Sequence, residues 1–233
     1  MTDDPTHRRF ESADHPAREP EAHDWPVRES KAEYETGWYT GGYDLVGQPD
    51  GSEKRYYWAD LPDAVVIVAV VDGAAVPSLA DGRATRREGA SPNERAGTGA
   101  TREQRDDDRD HLVLVDQYRP TVREQCLELP AGIVEDGESY TEAGRRELRE
   151  ETGFDAAGCS LIEAFWCATG VLRHRRGIVF AEGLEPAAID RDDNEFLSVT
   201  TVPVDEALAV ARREPSNDAT IEGILLAQAE DLL

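Results

Sequence analysis

The chain has 233 residues, enough for one hydrophobic core with residues left over for a tail or an insertion. Asp and Glu outnumber Lys and Arg by 49 to 25, a formal charge of −24. A field of that sign repels nucleic acid and anionic membranes, which argues against either as a partner.

In chain order, residues 1–27 are polar, rich in Pro, His, Asp and Glu, and without period. They predict a disordered acidic tail. The start, MTDDPTHRRFESADHP, has no apolar signal core, and no run approaches the roughly 20 apolar residues that span a bilayer. A cytoplasmic protein is expected. From Arg28 onward the aromatic residues Trp38, Tyr39, Tyr43, Tyr56, Tyr57 and Trp58 alternate with turn residues, notably Gly41-Gly42 and Asp50-Gly51. This predicts short antiparallel strands over 28–62. So small a sheet is marginal alone, which predicts a homodimer that shares it. The run Ala64–Val71 (AVVIVAVV) predicts a strand buried on both faces. Residues 78–110 hold almost no large apolar side chain and predict an exposed insertion within a domain spanning 63–233.

Short strands are predicted at His111–Val115 and Cys126–Leu129. A helix follows over Tyr140–Thr152, with Ser139 and Glu142 at capping-box spacing and Gly153 as its stop. Strands are then predicted at Ser160–Trp166, Ile178–Ala181 and Phe196–Val202, and helices at Asp205–Arg213 and Asn217–Leu233. The sum is a mixed α/β chain: a sheet sandwiched between helices, with a separate antiparallel sheet before it. Cys126, Cys159 and Cys167 lack metal-type spacing and read as buried, inert thiols. Lys31 and Lys54 are the only lysines, and this acidic, lysine-poor composition resembles that of salt-loving microbes.

The chemistry concentrates in Gly132–Phe154, GIVEDGESYTEAGRRELREETGF. Glu147, Glu150 and Glu151 stand at i, i+3 and i+4, so a helix gathers them within about 100° on one face. Tyr140, Gly144 and Leu148 form an adjacent stripe that can pack on a sheet. Three carboxylates so placed repel, and a divalent cation reverses the sign of that interaction. A hard ion such as Mg²⁺, with Mn²⁺ as the alternative, takes oxygen ligands and leaves room for phosphate oxygens. In a chain this acidic, such a triplet alone arises by composition. The surrounding pattern of Gly132, Glu138, Arg146 and Gly153 decides for a metal site. Arg146 is expected to pair with Glu150 one turn on, and the two glycines to serve backbone geometry.

That pattern resembles the signature of the Nudix family: G, five residues, E, seven residues, then R-E-U-x-E-E-x-G-U with U apolar. Gly132, Glu138, Arg146, Glu147, Leu148, Glu150, Glu151 and Gly153 all fall in place, with Phe154 in the last apolar slot. The segments Asp116–Pro120 (DQYRP), Glu128–Gly132 (ELPAG) and Arg28-Glu29-Ser30 resemble the ADP-ribose pyrophosphatase branch. The resemblance implies a Nudix-type α/β/α sandwich and Mg²⁺-dependent hydrolysis of ADP-ribose or a related nucleoside diphosphate sugar. It implies metal ligation by Glu147, Glu151 and the Ala131 carbonyl, with Glu150 ligating or orienting water. It places Arg119 on a substrate phosphate, Arg28 on substrate across a subunit boundary, and Trp38 on the base, although aromatic content alone reads Trp38 as core or interface. A catalytic base is implied at Asp193 or Glu195. Two positions depart from the branch: Thr169 stands where a proline is usual, and His174 where many relatives have glutamate. Thr169 keeps open a nucleoside triphosphate or dinucleoside polyphosphate as substrate; a non-catalytic nucleotide sensor is the reading from another class, against which the intact Glu147, Glu150 and Glu151 argue. The basic run Arg173–Arg176 reads equally as a phosphate contact or a solvated turn, with His174 a loop histidine.

Overall fold

The computed structural model describes residues 25–73, 109–187 and 196–233. Most of the expected tail and of the expected insertion, together with Asp193 and Glu195, lie outside the described residues. The described residues divide between two compact units: Met1–Ala64 with Ala164–Arg176, and Val65–Glu163 with Gly177–Leu233.

The second unit is organised around β4 (Ala64–Val71), a continuous apolar strand whose two faces serve two layers. Val65, Ile67, Ala69 and Val71 join a core with Val179 and Ala181 under α1 (Tyr140–Thr152). The helix presents Ala143, Gly144 and Leu148 to that core, all buried. At Gly144 a Cβ would touch Val65 and Val179 at 3.3 Å, so the helix lies close on the sheet along the predicted stripe. The alternate residues face the other way. A Cβ at Gly223 in α3 (Asp218–Ala229) would stand 2.6 Å from Leu129 and 3.4 Å from Val68. Odd residues of β4 thus meet one helix and even residues the other, an α/β/α sandwich produced by strand alternation. Removing Leu148 down to alanine would cost about 2–5 kcal/mol, the usual range for a fully buried leucine.

Around β4 the sheet runs β11-β5-β4-β10-β8, with β6 beside β5 and β7 beside β4. Here β5 is His111–Arg119, β6 Glu124–Glu128, β7 Ala131–Ile133, β8 Phe154–Trp166, β10 Arg175–Pro186 and β11 Leu197–Pro203. The β11–β5 pairing is antiparallel from Leu197↔Gln117 to Pro203↔His111. Strand β8 begins six residues before its predicted start at Ser160. Phe154 and Ala156 are buried in the core and hold the stretch before Ser160 extended. A further helix, α2 (Val204–Ala211), follows β11 and stops short of the expected Arg213. Likewise α3 ends at Ala229, short of Leu233, with Asn217 capping its start through Thr220 N–H at 2.8 Å.

In the first unit, β1 (Val27–Glu35), β2 (Thr40–Gly47) and β3 (Glu53–Asp60) pair antiparallel in that order. The short β9 (Leu172–Arg173) adds to β3 in parallel. Asp50-Gly51 makes the β2–β3 turn as expected, with Gly51 at φ 85°. Gly41-Gly42 does not make a turn; both lie inside β2. The reason is close approach. A Cβ on Gly42 would fall 2.2 Å from the Lys31 carbonyl and 2.9 Å from the Trp58 ring. Trp58 donates through Nε1 to Asp44 at 3.0 Å, and the Arg173 guanidinium stacks on its ring at 4.0 Å while also pairing with Asp44.

Candidate functional site

Helix α1 positions the carboxylates, and its start is fixed locally. Ser139 Oγ accepts from Glu142 N–H at 3.3 Å, and the Glu142 carboxylate accepts from Ser139 N–H at 2.8 Å. These reciprocal bonds satisfy two otherwise orphaned donors. They also hold the Glu142 carboxyl below the usual range, the Ser139 backbone bond contributing most. At the other end Gly153 takes φ 74°, a left-handed cap that side chains rarely adopt.

Within these limits Glu147 and Glu151 turn inward, 8% and 5% exposed, while Glu150 is half-buried. The repulsion expected among them is met by Arg146. Its Nη1 donates to Glu147 at 2.8 Å and to Glu150 at 3.1 Å. Its Nε and Nη2 reach Glu138 at 3.0 Å each, and Nη2 also donates to the Ile133 carbonyl at 2.9 Å. The predicted Arg146–Glu150 pair is thus one spoke of a hub that also takes in Glu138 and Glu147. The Arg146 bond, against some burial, depresses the Glu138 carboxyl below its ordinary value, and Glu138 does most to raise Arg146. Glu151 accepts instead from the Ala131 N–H at 3.1 Å.

Gly132 explains how so much charge fits beside β7. A Cβ there would stand 1.9 Å from Glu147 Cδ, so the carboxylate occupies the space a side chain would fill. Gly132 is therefore needed for close approach, whereas Gly153 is needed for its backbone angle. Among the described residues no three Asp, Glu, His or Cys side chains converge as a ready-made metal centre. Glu147 and Glu150 are drawn to Arg146 and Glu151 to a backbone N–H. The donor chemistry nevertheless suits a hard divalent cation, being oxygen only, with Glu147 and Glu151 buried and Glu147 set against the glycine cradle.

Arg119, at the end of β5, donates through Nε to Glu128 Oε2 at 3.0 Å, and Gln117 Nε2 approaches the same oxygen at 3.3 Å. Burial would lower the Arg119 guanidinium. Its bond to Glu128, the charge of Glu128 and a smaller contribution from Glu151 together hold it above the ordinary value. Glu128 was missed as a site residue in the sequence. The signal available was one carboxylate between Leu127 and Leu129, in a strand whose register sets it on the face of Gln117 and Arg119.

In the first unit Trp38 is 59% exposed beside a cleft of about 280 Å³ shared with Tyr39, Trp58 and Asp60, so it is not a core residue of this chain. Arg28 is exposed on β1. His174 is buried and its Nδ1 donates to the Pro62 carbonyl at 2.7 Å. The basic run is accordingly not a simple solvated turn: Arg173 is fixed by Asp44 and Trp58, and Arg175 lies over Trp166 at 5.3 Å. Cys126 and Cys167 are buried and Cys159 half-buried, and none of the three is in a disulfide. Burial raises the Cys126 and Cys159 thiols, consistent with inert side chains. No helix of the described residues is long and apolar enough to cross a membrane.

A row of glutamates on a capped helix, one set in a glycine cradle and two tied by one arginine, is the Nudix arrangement, and the NUDIX domain matches residues 95–222. The chain belongs to the Nudix family. Among its relatives, it is 32% identical over 114 residues to the ADP-ribose pyrophosphatase of Bacillus subtilis (strain 168), covering 48% of this chain and 62% of that one. It is 49% identical over 104 residues to the ADP-sugar pyrophosphatase of Mus musculus, covering 42% of this chain and 47% of that one. The matched chain thus spans roughly half to three fifths of those relatives' length. A crystal structure of an ADP compounds hydrolase shares the fold, with a TM-score of 0.67, 19% identity, and coverage of 90% of this chain and 97% of that one.

Proposed function

We propose that this chain hydrolyses the diphosphate bond of ADP-ribose or a related nucleoside diphosphate sugar in a Mg²⁺-dependent reaction, releasing a nucleoside monophosphate and a sugar phosphate. The observation that carries the reading is the set of Glu147, Glu150 and Glu151 gathered on α1 around Arg146 and Gly132. The names of the bacterial and mouse relatives support the substrate class.

Glu147, Glu150, Glu151 and the Ala131 carbonyl are the groups that would hold Mg²⁺, or Mn²⁺ in its place. When bound, such an ion supplies polarisation of a phosphoryl oxygen and a lower pKa for an attacking water. Arg146 keeps Glu147 and Glu150 oriented and their charge balanced. Arg119 receives a substrate phosphate through the part of its guanidinium turned from Glu128. Trp38 offers an exposed ring for stacking on the base, and Arg28 contacts substrate from a second subunit of a homodimer. Asp193 or Glu195 takes the proton from water. The base is the one whose amide variant, Asp193→Asn or Glu195→Gln, loses turnover while metal affinity is kept. The working environment is a cytoplasm at high salt, in keeping with the acidic, lysine-poor composition.

The test is a panel of ADP-ribose, other nucleoside diphosphate sugars, nucleoside triphosphates and dinucleoside polyphosphates, with the full chain, Mg²⁺ and high salt, scored by released products. AMP and ribose phosphate from ADP-ribose are expected. Preference for a triphosphate would move the substrate assignment. Binding without hydrolysis of any compound would make the chain a sensor. Sedimentation should give a dimer, and a monomer at micromolar concentration would remove the shared-sheet role of Arg28.

A further inference from the structure

Arg119 and Glu128 lie on one face of the β5–β6 ladder, displaced along it. The register sets Val115 opposite Glu128, Gln117 opposite Cys126 and Arg119 opposite Glu124. Arg119 therefore reaches back across the small Cys126 side chain to meet Glu128. The two are unequally placed: the Glu128 side chain is 11% exposed and that of Arg119 42%. The contact is one-sided. Nε and Nη2 of Arg119 engage the carboxylate, and among the described residues Nη1 makes no hydrogen bond to protein. A guanidinium gripped along one edge by a buried carboxylate, with its other edge outward, is built to receive an anion.

Arg119 feels the charge of Glu151, one of the proposed metal ligands.

We infer that Glu128 is a positioning residue: it holds Arg119 along one edge, so that the free edge meets a substrate phosphate. This rests on the proposed reading of the site as one for nucleoside diphosphates. Glu128 acts only through Arg119, and Gln117 steadies it from the neighbouring strand position.

The experiment is a double-mutant cycle read by calorimetric titration of the non-hydrolysable α,β-methylene analogue of ADP, in Mg²⁺ and high salt. Glu128→Gln should weaken binding by about tenfold, the size of a charge-assisted bond. Arg119→Gln should weaken it at least as much, and the double variant should match Arg119→Gln within about twofold. Losses that multiply in the double variant, or a Glu128→Gln protein that binds as the unaltered chain does, overturn the inference. A second readout needs neither nucleotide nor a Glu128 variant. The Arg119 Nε–Hε resonance, assigned by its loss in Arg119→Lys, should exchange slowly with solvent. Exchange at the rate of free arginine overturns the inference by itself. Slow exchange together with no nucleotide binding by the unaltered chain would instead reject the proposed function and, with it, the role of the grip in binding.

Discussion

The Glu147 carboxylate lies against the Cα of Gly132, so close that a Cβ there would stand 1.9 Å from Glu147 Cδ. Relieving this means turning the buried carboxylate aside, which breaks its bond to Arg146. Gly132→Ala should therefore displace Glu147 from its place beside β7. We expect a loss of about 1–3 kcal/mol in denaturant unfolding, as for overpacking elsewhere. We expect turnover to fall at least about tenfold, because small misplacements at a reacting centre are costly. An alanine variant with unaltered stability and rate would show that the cradle is not needed.

Arg146 gives the site a measurable acid dependence through Glu138. The folded-state pKa of Glu138 lies below its ordinary value, chiefly because Arg146 donates to its charged form. A depressed carboxyl contributes stability above its unfolded-state pKa, near 4.5, and loses that contribution as pH falls through the folded-state value. Glu138→Gln should thus be less stable than the parent by about 1 kcal/mol at neutral pH. The gap should close below the 4.5 reference. Urea titrations in high salt from neutral pH down to acid read it directly, and a gap that stays constant would show that the pair adds nothing.

Ser139→Ala separates folding from chemistry. It removes the hydroxyl that accepts from Glu142 N–H but leaves every carboxylate on α1 in place. Stability should drop by about 1 kcal/mol, the usual cost of an N-cap. Turnover at saturating Mg²⁺ should stay within about twofold, since none of the proposed ligands is touched. A large fall in rate with only this loss of stability would place Ser139 in the reaction.

Local chemistry was most readable where one residue type had one physical use. The helix bounds Tyr140 and Thr152, the Ser139–Glu142 box and the left-handed Gly153 were all legible, because caps are decided within a few residues. The strand Ala64–Val71 was legible because only a doubly covered strand is apolar throughout. What failed depended on distant chain. Gly41-Gly42 looked like a turn, but its use is set by Lys31 and Trp58, which approach from other strands. Arg173 looked solvated or substrate-bound, but Asp44 is its partner, 129 positions away in sequence. The Arg146–Glu150 pair could be written down from helical spacing, whereas the reach of Arg146 to the Ile133 carbonyl required the fold. Glu128 went unmarked because strand register, not spacing, sets it beside Arg119.

The central claim is that the α1 glutamates carry the chemistry through a bound divalent ion, and Glu151→Gln tests it most directly. The amide keeps the size of the side chain and can still accept from Ala131 N–H, so the fold should hold. Only the charge is removed. The measurement is kcat for ADP-ribose in Mg²⁺ and high salt, beside the unaltered chain and Glu150→Gln as a parallel case. For each variant a fall of at least about a hundredfold, roughly 2.7 kcal/mol of barrier, is expected, with an unchanged unfolding transition. Hydrolysis by Glu151→Gln at close to the unaltered rate would contradict it.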